Sequence, residues 1–352
     1  MIDQTSNSSR AGAASGSNRL VEIDALRGVA ALAVVLFHYT THYARVFGAD
    51  PPPSISVSGG HYGVNLFFII SGFVIFMTLD RTAKPMDFVV SRFSRLFPAY
   101  WVAIVMTFSL THLLGLPGKL VDIGAAVGNL IMIHGLFRVP HVDGVYWTLE
   151  VELLFYCGML ALFRLRRLDS IHYVLLGLLA ARLTYFVLEK AFGIDLSWTI
   201  YRLLILRHIP WFALGISIYL ATRRREGESR RAPALTAACA IVTLLIAESV
   251  FVGMLAVILA GAVFLAATAR LSPLRHAVFV WLGAISYPLY LLHENIGWSI
   301  QLRLQALGVP IDLTVVLAMA TSLTLATALT HWVEQPAMRW IRARYRRRLA
   351  LA

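Results

Sequence analysis

The chain has 352 residues, of which 58% are hydrophobic and only 14% are charged, and its mean hydropathy is +0.71. Soluble domains carry roughly 25% charged residues, so this composition excludes a soluble globular protein and predicts an all-α polytopic membrane protein. The formal net charge of +12 does not indicate a nucleic-acid partner, because Lys and Arg lie in short loops between apolar runs, where they determine topology.

The two ends of the chain differ in composition from its middle. Residues 1–20 are rich in Ser, Ala, Gly and Asn, so we expect residues 1–22 to form a disordered cytoplasmic tail, with no cleavable signal peptide before the first helix. Residues 339–352 are rich in arginine and are expected to form a basic cytoplasmic tail. The membrane domain is therefore assigned to residues 23–338.

Ten apolar segments follow the N-terminal tail, and each is long enough to cross a bilayer as a helix. They are residues 26–44, 62–80, 97–116, 146–163, 171–188, 200–222, 233–248, 250–269, 279–299 and 313–333. Cys157 and Cys239 both lie inside these segments, where cysteine is expected to pack as a small apolar residue.

An eleventh segment, residues 120–137, is weaker because three glycines interrupt it. If it does not cross, and if the N-terminus is cytoplasmic, every basic cluster of the chain lies on the cytoplasmic side. We therefore predict ten spans with both termini inside, and we interpret residues 120–137 as re-entrant or interfacial. We expect the membrane to be a bacterial cytoplasmic membrane.

The first apolar segment carries two ionisable residues, Arg27 and His38. Their spacing of eleven residues is close to three helical turns, so they share one helix face about 16 Å apart. Arg27 has an alternative interpretation as a snorkelling anchor, and His38 could make a structural hydrogen bond to another helix. Because ionisable groups are costly at membrane depth, we favour a functional role for His38.

Two further features precede the third span. The segment GVNLFFIISGF contains Asn65, Ser71 and Gly72, and the small residues are expected to allow close helix packing. Arg92 and Arg95 lie one helical turn apart next to the membrane surface. Paired arginines suit phosphate recognition, and lipid headgroups are the alternative ligand.

Several carboxyl groups and a second histidine lie in later segments. Glu150 and Glu152 belong to VYWTLEVELLFY, which begins just inside the outer face, and His293 and Glu294 belong to SYPLYLLHENIG. Counting rises along each helix places His38, Glu152 and His293 in one layer in the outer half of the bilayer. The remaining carboxylate, Glu334, is expected to pair structurally with an arginine. The convergence on one layer predicts an active site.

Taken in order, these segments resemble the acyltransferase-3 family of integral membrane acyltransferases. Arg27 and His38 match its arginine–histidine signature, GVNLFFIISGF its second-helix motif, and Arg92 and Arg95 its arginine pair. WTLEVELLFY, with Glu152 at the acidic position, SYPLYLLH and VEQP also match. The resemblance covers residues 23–339. Asn65 replaces an acidic residue of many members, Glu150 stands where a small residue is usual, and the fused hydrolase-like domain of some relatives is not expected.

The resemblance implies O-acylation, usually acetylation, of a carbohydrate or glycoconjugate hydroxyl by cytoplasmic acyl-CoA. We expect Arg92 and Arg95, with Arg27, to hold the CoA phosphates, and His38 to act as general base or as transient acyl carrier. The expected orienter of His38 is Glu152, with His293 either sharing that role or binding the sugar. Trp147 and Asn65 are further candidates for substrate binding.

Other functions and partners compete with this interpretation. A transporter or flippase for a lipid-linked sugar or small solute would also need buried charges, but it leaves the cytoplasmic arginine pair unexplained. A membrane scaffold leaves His38 unexplained. We expect membrane lipids, acyl-CoA and a carbohydrate acceptor as partners, with a homo-oligomer left open, and we expect no metal, because His38 and His42 lack a third ligand at suitable spacing.

Overall fold

The computed structural model describes residues 5–194, 197–223 and 231–351, and for residues 5–20 it describes the backbone alone. Throughout these ranges the regular elements are helices, without a strand. The α-helices are α1 (Thr5–Phe37), α2 (Tyr43–Phe47), α3 (Gly63–Asp80), α4 (Pro85–Leu114), α5 (Ile123–Asn129), α6 (Trp147–Arg164), α7 (Ile171–Phe192), α8 (Trp198–Leu203), α9 (Ile209–Thr222), α10 (Arg231–Ala247), α11 (Val250–Ala267), α12 (Ala277–Leu292), α13 (Glu294–Ala306), α14 (Ile311–Leu329) and α15 (Gln335–Leu351).

The described residues confirm the predicted all-α architecture and include helices suited to a membrane. Among the described residues, six helical stretches are long and apolar enough to cross a membrane: Ser58–Asp80, Pro85–Leu114, Gly144–Arg164, Leu168–Phe192, Val250–Ala267 and Ile311–Leu351. Three shorter apolar helices, α9, α10 and α12, overlap other predicted segments. The backbone of residues 5–22 belongs to α1, residues 1–4 lie outside the described part, and the cytoplasmic tail stays a prediction.

Two predicted spans are interrupted in the structure. Residues 200–222 divide into α8 and α9, because Pro210 lies in the first turn of α9 and begins a new helix there. Residues 279–299 divide into α12 and α13 at His293. Hydropathy detects apolar residues and does not detect these local breaks. Residues 120–137 hold the seven-residue helix α5 and a short 3-10 turn, too little helix to cross a bilayer.

The chain forms two compact units. The first comprises Met1–Val29, Asn65–Asp80 and Ala161–Ala284, and in it α7, α9, α10 and α11 pack on one another. A Cβ atom at Gly72 would meet the carbonyl of Phe212, and one at Gly215 would meet that of Ile69. These glycines let α3 and α9 approach closely, as the sequence predicted for Gly72.

The second unit comprises Ala30–Val64, Arg81–Leu160 and Ile285–Ala352. Within it, α13 packs between α4 and α14, and α15 packs along α4. Two π-helices, His38–His42 and Thr330–Glu334, belong to this unit. Since π-helical turns occur frequently at functional sites, the turn that begins at His38 directs attention to its surroundings.

Candidate active site

The centre of the candidate site is a pair of imidazole rings. His38 Nδ1 lies 2.9 Å from the carbonyl oxygen of Val34, one turn back in its own helix. His293 Nδ1 lies 2.9 Å from the carbonyl oxygen of Tyr290 and 3.2 Å from that of Leu289. The rings meet edge to face, with His293 Nε2 3.1 Å from His38 Nδ1. The predicted convergence of these two histidines is therefore observed.

These contacts fix the tautomers of both rings. A carbonyl oxygen can only accept a hydrogen bond, so Nδ1 of each neutral ring carries the proton. His293 Nε2 then presents a lone pair to the Nδ1–H of His38. His38 Nε2 also holds a lone pair, and it lies 3.7 Å from Glu294 Oε2. The arrangement leaves His38 Nε2 as the proton-accepting atom of the pair.

The π-helical turn positions His38 through its backbone. The His38 carbonyl accepts a hydrogen bond from Trp298 Nε1 at 2.9 Å, and the next carbonyl, that of Tyr39, accepts one from Gln301 Nε2 at 3.1 Å. Both donors belong to α13, and Trp298 and Gln301 are fully buried. Helix α13 thereby holds the turn that carries the candidate base.

A buried carboxyl pair lies next to the imidazoles. Glu294 is the first residue of α13, and Asp143 precedes α6. The Asp143 carboxylate accepts hydrogen bonds from the backbone N–H of Asn295 at 3.1 Å and of Val145 at 3.2 Å. Asp143 thus caps the helix that begins after the break at His293. Burial raises the pKa of Asp143, whose carboxyl lies in the electrostatic reach of Glu294 and Lys119.

A second group of polar residues surrounds Arg92. Tyr156 donates a hydrogen bond to Glu152, and Tyr156 and Glu152 both act electrostatically on Arg92. Glu152 was predicted to orient His38, but the structure puts the carboxyl group of Glu294 beside that imidazole. Rises along a helix give a membrane depth only when every helix is perpendicular to the membrane. The structure brings His38 and His293 together, and the common layer stays a prediction for Glu152.

The other predicted site residues have separate places. Arg27 pairs with Asp24 at 3.4 Å and belongs to the first unit, as does Asn65, which is half-buried. Arg95 lies on α4 close to Arg342. Trp147 begins α6 and is 38% exposed, so it is accessible to a ligand. Within the described ranges, no group of three or more His, Cys, Asp or Glu residues is arranged to hold a metal ion.

Sequence reasoning gave no role to Asp143 or Lys119. The segment VDGVY, with an aspartate and a glycine before an apolar helix, resembles an ordinary helix start, and only the fold shows that this aspartate caps a different helix. Lys119 lies 5.4 Å from the ring of Trp298, a contact between residues that are far apart in sequence. The pairing of α13 with the His38 turn could not be predicted from a single chain.

The chain is similar to known proteins over most of its length. The model of a family described as "Acyltransferase domain", the acyltransferase-3 family, matches residues 20–333. No solved structure matches the chain.

Three characterised sequences are similar to shorter parts of it. "Protein 2 in picA locus" of Rhizobium radiobacter is 34% identical over 134 residues, which cover 35% of this chain and 65% of that protein. "Exopolysaccharide production protein ExoZ" of Rhizobium meliloti is 30% identical over 134 residues, 35% of this chain and 41% of that protein. "Peptidoglycan O-acetyltransferase OatA" of Listeria monocytogenes is 32% identical over 90 residues, 24% of this chain and 12% of that protein. The aligned regions therefore span less than two thirds of each relative.

Proposed function

Because this chain belongs to the acyltransferase-3 family, we propose that it moves an acyl group, expected to be acetyl, from cytoplasmic acyl-CoA to a carbohydrate hydroxyl. The acceptor that we propose is a cell-envelope polysaccharide or related glycoconjugate. Two relatives support this class, since their names refer to exopolysaccharide production and peptidoglycan O-acetylation. The host membrane in the proposal is the bacterial cytoplasmic membrane.

The observation that carries the proposal is the state of the His38 ring. Its Nδ1–H is engaged by Val34 and His293, so Nε2 is the atom that can accept a proton. A general base needs this lone pair and a partner that stabilises its protonated form. Here His293 Nε2 faces the Nδ1–H that becomes more acidic when His38 is protonated, and Glu294 lies on the opposite side of the ring.

The proposed reaction is a direct transfer. His38 Nε2 removes the proton from the acceptor hydroxyl, and the hydroxyl oxygen attacks the carbonyl carbon of the thioester. The carbon–sulfur bond then breaks, and the imidazolium returns its proton to the CoA thiolate. An acyl-histidine formed on Nε2 is the alternative, in which CoA leaves before the acceptor attacks. In both routes His293 holds the His38 ring through Nδ1, and Glu294, near Nε2, stabilises the positive charge that develops on the ring, a role that the sequence predicted for Glu152.

We further propose that donor and acceptor reach the site from opposite faces of a ten-span protein with both termini inside. Arg92 and Arg95 would bind the CoA phosphates at the cytoplasmic face, with Arg27 as a third cation. Trp147, 38% exposed at the start of α6, is suited to stack on a sugar ring. Asn65 remains a proposed substrate contact. The limits of the membrane domain, residues 23 and 338, also remain proposals.

The test measures CoA release from acetyl-CoA by the purified protein in nanodiscs, with and without a membrane glycan extract. Glycan-dependent release should fall by about 10²–10⁴-fold in His38→Ala, the range for loss of a general base. His112→Gln is the matched control, since His112 is an exposed histidine on α4 that bonds its own helix. An active His38→Ala enzyme would refute the role of His38. Wild-type protein that neither binds CoA nor releases it would favour the transporter alternative.

A further inference from the structure

The C-terminal helix α15 brings additional arginines to Arg92 and Arg95. Arg342 donates a hydrogen bond from Nε to Ser94 Oγ at 3.1 Å and another from its terminal nitrogen to the Ser91 carbonyl at 3.3 Å. On the other side of Ser91, Arg92 donates to Ser91 Oγ at 3.2 Å. The guanidinium groups of Arg92 and Arg342 are therefore anchored to the same residue of α4.

The charge around Arg342 is predominantly positive. Arg92, Arg95 and Arg346 are the charged side chains that act on it, and all three are cations. Two carboxylates lie nearby: Asp87 accepts a hydrogen bond from Tyr345, and Glu152 accepts one from Tyr156 and acts electrostatically on Arg92. Four arginines on two packed helices thus lie together without an equal number of acids, a distribution that attracts an anion.

Some N–H donors of these arginines also make no hydrogen bond to the protein. A guanidinium has five N–H donors, and the bonds to α4 use two of those of Arg342. Arg92 Nε is buried and has no hydrogen-bond partner. A buried donor without a partner is costly, and a phosphate oxygen would satisfy it while accepting from Arg342.

We infer that Arg342, together with Arg346, completes the phosphate-binding site of Arg92 and Arg95, so that α15 forms one wall of the acyl-CoA site. This inference rests on the proposed function. CoA presents three phosphate groups, more than the Arg92–Arg95 pair can hold in bidentate fashion. Two bonds to α4 fix the Arg342 guanidinium in place before a ligand arrives, which lowers the entropic cost of binding.

The test is calorimetric binding of CoA to the full-length protein in nanodiscs of phosphatidylcholine. Arg342→Gln should raise the Kd for CoA about tenfold or more, the usual effect of losing one charge-assisted hydrogen bond. It should raise KM for acetyl-CoA similarly and leave kcat at saturating donor unchanged. Arg347→Gln removes the same charge from an exposed position of α15 and should change Kd by no more than about twofold.

A second variant and a second lipid composition distinguish CoA binding by Arg342 from a structural role and from binding of a lipid headgroup. Ser94→Ala removes one of the two bonds that hold Arg342 and keeps its charge, so it should raise the Kd for CoA clearly less than Arg342→Gln does. An equal loss in Ser94→Ala and Arg342→Gln would make the effect structural and overturn the inference. Nanodiscs with added phosphatidylglycerol test a lipid headgroup as the ligand. If Arg342→Gln binds CoA normally and loses only its preference for that lipid, the inference fails while the proposed function stands. Wild type that binds no CoA would instead refute the proposed function.

Discussion

The imidazole rings of His38 and His293 have different roles, because different nitrogen atoms are free to accept a proton or a hydrogen bond. The Nδ1–H of His293 donates to carbonyl oxygens of its own helix, so Nε2 of His293 can only accept a hydrogen bond from His38. A neutral acceptor in this position stabilises the imidazolium of His38 less than a carboxylate would, but it holds the tautomer equally well. Glu294 supplies the carboxyl group near the opposite nitrogen. His293 therefore orients His38 through Nδ1 without placing a buried carboxylate next to that nitrogen.

We predict that His293→Leu lowers kcat by about 10- to 100-fold, the range expected for loss of one hydrogen bond to a charged group. KM for acetyl-CoA should stay unchanged, because the phosphate-binding arginines are separate from this pair. Steady-state kinetics with a glycan acceptor would measure both constants.

A conservative variant distinguishes positioning from packing. The side-chain oxygen of His293→Gln can still accept from His38 Nδ1, so this variant should recover part of the kcat lost in His293→Leu. Equal activity of His293→Leu and wild type would contradict the role of His293, and so would the absence of any rescue by His293→Gln.

At the scale of the element, α13 is the support of the site. Its first residue, Glu294, lies beside His38, and Asp143 caps its N-terminus. Two donors on its buried face, those of Trp298 and Gln301, hold the carbonyls of the π-helical turn. One short helix thus supplies the neighbouring carboxyl group and the backbone restraints of the candidate base.

Trp298→Phe should test this support. Phenylalanine keeps most of the apolar contact and removes the Nε1–H donor to the His38 carbonyl, so we expect a loss of about 1 kcal/mol in unfolding free energy. Because the π-helical turn would then be free to shift, kcat should fall about 3- to 10-fold, a partial loss of alignment worth roughly 1 kcal/mol. Thermal denaturation and CoA release would measure the two effects. An unchanged kcat in the folded variant would show that His38 needs no restraint from α13.

The same helix shows what could be predicted from the sequence. The spacing and polarity of the residues predicted that His38 and His293 lie at one depth, because both are ionisable groups in otherwise apolar segments. The break at His293 could not be predicted, since SYPLYLLHENIG continues an apolar run and its bonds to Tyr39 and Asp143 join distant segments. For the same reason the sequence motif favours Glu152 as the orienter, and nothing in the sequence gives Glu294 a role beside His38.

At the scale of the whole molecule, hydrogen bonds between loops constrain the topology of each unit. In the second unit, Ser54 donates to Asp312 at 2.6 Å, and Arg342 contacts Ser91 and Ser94. In a ten-span chain, Ser54 and Asp312 both lie outside and the arginine cluster lies inside. If residues 120–137 also crossed the membrane, each of these bonded pairs would be divided between opposite faces.

Hydrogen bonds in the first unit also agree with an even number of membrane crossings. Glu22, before the first predicted span, accepts hydrogen bonds from Leu271 and Arg275, and Arg223 pairs with Asp80 at 3.0 Å. The ten-span order puts all of these residues in cytoplasmic loops or at cytoplasmic helix ends. An additional crossing at residues 120–137 would export Arg223, Leu271 and Arg275 and separate them from their partners.

We therefore predict that a cysteine placed at the C-terminal end of α13 and one placed on α15 are accessible from opposite sides. In a parent with Cys157→Ala and Cys239→Ala, Ala306→Cys should react with a membrane-impermeant maleimide in intact cells. Arg347→Cys should react only after the membrane is opened, and both positions are exposed on the protein. A crossing at residues 120–137 would reverse the two results. It would also put Arg342 on the opposite face from Arg92 and Arg95, so this measurement tests the proposed phosphate-binding site as well as the topology.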